Sequence, residues 1–99
     1  MKRLEDRIFI YVENFCLRHS LEKTPTIREV ARGLNTGSKK ILEAIDGDGS
    51  GRVWTESYYG AEEDNIDDTF VSVDSEKIDK KFFEIMNIDK QGRNLFRKI

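Results

Sequence analysis

Cys16 and His19, three residues apart, are the one pairing in this chain that could join a nucleophile to a base, because the sequence holds a single cysteine and a single histidine. That spacing is close to one helical turn, so both side chains would share a face. Their surroundings argue for other uses. Phe15 and Leu17 flank Cys16 with apolar surface, which favours a buried thiol, and His19 falls at the end of a helical pattern, where a basic side chain meets the last carbonyls. A lone cysteine also excludes an internal disulfide and a multi-cysteine zinc site. No glycine-lysine motif for cradling phosphate is present, and the carboxylates cluster in a polar stretch rather than in apolar surroundings that would raise a pKa. No catalytic residue and no cofactor are therefore expected, and the side chains left to act are charges.

Those charges are segregated. Over the whole chain 17 Lys and Arg stand against 19 Asp and Glu, a net of −2. Residues 1–45 carry nine bases and six acids, residues 46–76 one base and ten acids, and residues 77–99 seven bases and three acids. Such blocks should give faces of opposite sign, one for an anionic partner and one for a cationic partner. The length of 99 residues suits one domain, and 37% hydrophobic residues, with six Phe, three Tyr and one Trp, supply its core. No apolar run approaches the roughly 18 residues that span a bilayer, and no apolar stretch of a signal peptide follows Met1-Lys2-Arg3. A soluble cytoplasmic protein is expected, nucleoid-associated in a prokaryote, with no membrane partner.

From Leu4 to about Arg18, the residues Leu4, Ile8, Tyr11, Val12 and Phe15 recur at three- and four-residue intervals and predict an amphipathic helix. Thr26 followed three residues later by Glu29 is a capping-box signature behind Pro25. A second helix starts there, with Ile27, Val30, Ala31 and Leu34 on one stripe. Asn35-Thr36-Gly37 breaks it, and Ser38 offers an N-cap for a third helix carrying Ile41, Leu42 and Ile45. The three glycines of Asp46-Gly47-Asp48-Gly49-Ser50-Gly51 should end that helix. Residues 52–59 read as a strand, 60–68 as an acidic loop and 69–73 as a second strand, most simply a hairpin with a long tip. Ile78, Phe82, Ile85 and Met86 predict a fourth helix over 76–87, and Leu95, Phe96 and Ile99 add a further apolar group.

Helix, helix, tight turn, helix and hairpin is the order of a winged helix-turn-helix domain. Ala31 as the small residue between helices, Leu34 before the turn, and Ile41 and Ile45 as anchors, on the frame of Ile27 and Val30, resemble that family's signature. The resemblance covers residues 4 to about 73. It implies an α+β fold, three helices plus a two-stranded wing over 1–75, and the additional C-terminal helix read from periodicity in 76–99 is an addition to that pattern. It also implies duplex DNA binding, commonly in transcriptional regulation, through the helix at 38–45. Carried over by position, Ser38, Lys39, Lys40 and Glu43 lie on the exposed face of that helix, and Arg28 and Arg32 approach phosphates from the second helix. Arg52, with Thr55, Ser57, Tyr58 and Tyr59, reaches DNA from the wing. The wing tip departs from the family pattern, because Glu62, Glu63, Asp64, Asp67 and Asp68 are five acids where phosphate would repel them. An acidic tip suits a basic protein surface, so a protein-protein adaptor on the same fold stands as the alternative. Helix-turn-helix proteins commonly pair to read two half-sites, and the surplus apolar residues of 76–99 are the expected homodimer surface.

The stretch Asp46 to Val53 also resembles the start of an EF-hand calcium loop, with Asp46, Asp48 and Ser50 as oxygen donors, Gly51 at the sharp turn and Val53 as the apolar residue. The position of the bidentate carboxylate is Ser57, and the nearest acid, Glu56, comes one residue early. A turn from helix to strand calls for glycine and Asx residues in any case. Asp46, Asp48 and Ser50 are thus the minor reading, and no metal site is expected.

Overall fold

Of the stripe that the periodicity predicts on α1 (Leu4–Arg18), Ile8, Val12 and Phe15 are buried and Leu4 and Tyr11 half-buried, and Cys16 is buried beside them. The computed structural model describes residues 3–56 and 63–86. His19 is the C-cap of α1, but its ring packs on Phe15, with centroids 4.4 Å apart, instead of reaching for the carbonyls. The chain leaves α1 through two successive left-handed residues, Ser20 at φ 54° and Leu21 at φ 62°, held by the Leu21 N–H donating to the Cys16 carbonyl at 2.9 Å. Neither residue type favours that conformation, so the exit carries no sequence signal.

The capping box forms as predicted. The Glu29 N–H donates to Thr26 Oγ1 at 3.2 Å and the Thr26 N–H to Glu29 Oε1 at 3.1 Å, opening α2 (Ile27–Gly33). Asn35 takes the left-handed conformation of the turn at φ 54°. The next helix corrects two expectations. Gly37, not Ser38, is the N-cap of α3 (Ser38–Gly47), and the Ser38 hydroxyl donates to the Asp67 carboxylate. Ser38 lies inside the first turn as a helical residue, so its hydroxyl is not placed to accept from the N-terminal N–H groups and is spent on the carboxylate across the turn. At the other end α3 runs through Asp46 and Gly47 before stopping, because the turn is made one step later by Asp48, whose carboxylate accepts from the Ser50 N–H at 3.1 Å and the Ser50 hydroxyl at 2.9 Å.

Strands β1 (Val53–Glu56) and β2 (Phe70–Val73) pair antiparallel, with Val53 opposite Val73 and Thr55 opposite Val71. Val53, Val71 and Val73 face the core, while Trp54 stands outside and donates from Nε1 to Glu56 at 2.9 Å. The expected β1 extension over 57–59 lies outside the described residues. A third segment joins this sheet edge. Thr26 bridges Phe70, and the Ile27 and Val71 N–H groups donate to the Thr69 and Pro25 carbonyls at 2.8 Å each. The acidic tip is not simply a loop, because Glu63–Asp68 forms a short 3-10 helix whose Ile66 packs against the core.

The fourth helix, α4, spans 76–86, and Ser75 caps it by accepting from the Ile78 N–H at 3.4 Å. Ser75 is buried and donates to the buried Glu13 of α1, and Lys77 Nζ stands 3.9 Å from the same carboxylate. Ile78 packs against the core, but Phe82 and Phe83 are 53% and 62% exposed. Of the stripe predicted on this helix, Ile78 docks on the core cluster, Phe82 is exposed, and Ile85 and Met86 are half-buried. Together these elements make a small α+β domain of four helices and a two-stranded hairpin, one hydrophobic cluster joining α1, α2, α3 and both strands. Residues 87–99, with the tail residues Leu95, Phe96 and Ile99, lie outside the described part.

Candidate nucleic-acid interface

Burial of Ile41 and Ile45 turns the opposite side of α3 outward, which exposes Lys39, Lys40 and Glu43. Neither lysine is ion-paired among the described residues. Across the turn, Arg32 is exposed on the last turn of α2 and is likewise unpaired among the described residues. An open cleft of about 530 Å³ lies between these elements, lined by Arg28, Arg32, Asn35, Thr36, Ser38 and Asp67 among others. Arg28, Arg32, Ser38, Lys39 and Lys40, five of the positions expected at a DNA surface, thus share the region of the α2–α3 turn, and Glu43 follows one turn along α3.

Two of them are occupied. Arg28 Nη1 lies 3.0 Å from Asp68 Oδ1 and Nη2 lies 4.0 Å from Asp67 Oδ2, and Ser38 is bonded to Asp67. The described part of the acidic segment, Glu63–Asp68, folds onto α2 and α3. Composition alone hides this contact, and the one signal for it is Ile66, an apolar residue inside an acidic run that the core takes up.

Arg52 is not gathered with the others. Its guanidinium bonds Asp6 of α1, stands 3.7 Å from Asp48 and lies 4.6 Å over the Phe9 ring. That is the far end of α3 from Ser38, about 15 Å along a ten-residue helix. Arg52 ties the α3–β1 turn to α1, apart from the cations gathered at the opening of α3. Thr55 is half-buried opposite Val71, and Ser57, Tyr58 and Tyr59 lie outside the described residues.

The turn after α3 gives Asp48 and Ser50 local duties, while Asp46 belongs to the last turn of α3 itself. Hydrogen bonds from the Ser50 backbone and hydroxyl, with Arg52 adding to them, hold the Asp48 carboxyl below its ordinary range. Asp46 is exposed and makes no approach to them, and no cluster of three or more His, Cys, Asp or Glu that could hold a metal occurs among the described residues. Burial pushes the Cys16 thiol up from its ordinary value, the direction opposite to that of an activated nucleophile. No described helix is long and apolar enough to cross a membrane. No family model, curated protein or solved structure matches the chain.

Proposed function

We propose that the chain is a winged helix-turn-helix module that binds duplex DNA through the opening turns of α3, in a role in transcriptional regulation. The observation that carries this reading is the pair Lys39 and Lys40, exposed at the start of α3 and unpaired among the described residues, with Arg32 across the turn. Cations held on a rigid helix and free of partner acids are what phosphate neutralisation requires. The order α1, α2, turn, α3 and hairpin, with the Thr26–Phe70 bridge beside β2, supports the fold assignment. Filter binding of random duplex DNA at two salt concentrations tests it. Lys39→Ala/Lys40→Ala should weaken binding and flatten the log-salt slope by up to about two, one per lost phosphate contact. Binding that does not change contradicts the proposal.

Two further readings attach to specific observations. The carboxylates of Asp67 and Asp68 on this face favour a basic protein surface as the partner in the adaptor reading, and a chain that never binds duplex would leave that one standing. The exposed Phe82 and Phe83 favour a second copy of the chain as the partner of α4, which would present two recognition helices to two half-sites.

A further inference from the structure

Asp67 and Asp68 sit on the groups that the DNA reading assigns to phosphate. Arg28 meets both carboxylates, at 4.0 and 3.0 Å, and Ser38 donates to Asp67. A carboxylate and a phosphodiester are interchangeable here in kind, since each is a monoanion presenting two oxygens to a guanidinium or a hydroxyl. We propose that the acidic 3-10 segment is a built-in competitor for DNA phosphate, its Asp67 and Asp68 holding Ser38 and Arg28 until the duplex displaces them. This rests on the DNA reading above and states how that face is regulated.

Three features make the segment a competitor rather than a permanent clamp. The pairs are accessible, with the Arg28, Asp67 and Asp68 side chains 47%, 49% and 62% exposed, so water and salt weaken them and another anion can take their place. Ile66 packs against the core, so the segment has an apolar anchor that does not depend on the ion pairs. Tethering also keeps the carboxylates at high effective concentration, which a free acid of the same chemistry would not reach. Lys39, Lys40 and Arg32 remain open beside them, so an incoming duplex has a first foothold.

The test is fluorescence anisotropy of the full chain with a labelled random duplex over a range of salt. Asp67→Asn/Asp68→Asn is compared with Glu22→Gln/Asp79→Asn, which removes the same charge from exposed acids elsewhere. The first pair should tighten binding about five- to tenfold more than the second at 0.1 M salt and steepen the log-salt slope by about one, as one restored phosphate contact would. Adding Arg28→Ala to the first pair should abolish that gain. Asp68→Asn alone, which leaves the Ser38–Asp67 bond in place, should give part of it and serves if the double variant melts too low. A gain no larger than the control's, or one that survives Arg28→Ala, overturns the competitor while a wild type that binds through Lys39 and Lys40 leaves the DNA reading intact. No binding by any variant at low salt overturns both.

Discussion

At the scale of the residue, several side chains have duties that their type alone does not announce. Gly33 is the clearest. It ends α2, where alanine is the better helix former, yet a Cβ built there would stand 2.1 Å from Cε2 of the Tyr11 ring, inside the van der Waals limit. The half-buried Tyr11 ring would have to rotate off α2 about χ1, giving up its packing there, or α1 and α2 would have to part. Gly33→Ala should lower stability by about 1–3 kcal/mol, the usual cost of overpacking, as read by chemical denaturation. Helix propensity alone predicts the opposite sign. Arg52 is a second case: its charge and position suggest a wing contact, but neighbours distant in sequence, Asp6 and Phe9, claim it. Such long-range partners are invisible to spacing, which is why a DNA contact was expected there.

At the scale of the element, legibility followed locality. The α1 stripe, the Thr26–Glu29 box of α2 and the start of the fourth helix each depend on residues within a few positions of one another, and the two strands of the hairpin are each legible from their own alternation although they pair across 14 to 20 residues. The shift of the α3 cap from Ser38 to Gly37, the 3-10 turn at Glu63–Asp68 and the edge pairing at Thr26 depend on contacts across tens of residues. Of the candidate site, the exposure of Lys39 and Lys40 was legible from the Ile41–Ile45 spacing, whereas the acids seated on Arg28 were not. The turn closing α3 supplies a pH test. Ser50's hydrogen bonds lower the Asp48 pKa in the folded chain, so their stabilisation is fully present above the unfolded value of about 4 and is lost as pH falls through the lower folded value. Asp48→Asn should therefore melt below the wild type at pH 7, with the gap shrinking toward pH 3. A gap that is independent of pH would contradict this role for the carboxylate.

At the scale of the whole molecule, one core cluster holds α1, α2, α3 and the hairpin together, and α4 is added at the edge through Ser75, Lys77 and Ile78. Its two exposed phenylalanines are more apolar surface than docking on the first turn uses. Sedimentation of the full chain at tens of micromolar should give a dimer, converted by Phe82→Ser/Phe83→Ser to a folded monomer; a monomeric wild type contradicts the pairing. In the proposed complex DNA meets the opening of α3 on a face shared with the acidic segment. Amide chemical-shift mapping of the labelled chain against a short duplex at low salt tests it most directly. The largest shifts are expected at Arg32 to Lys40 and at Asp67 and Asp68, with Arg52 and the exposed face of α4 unmoved. Shifts centred on α1 or α4, or none at saturating duplex, would contradict it.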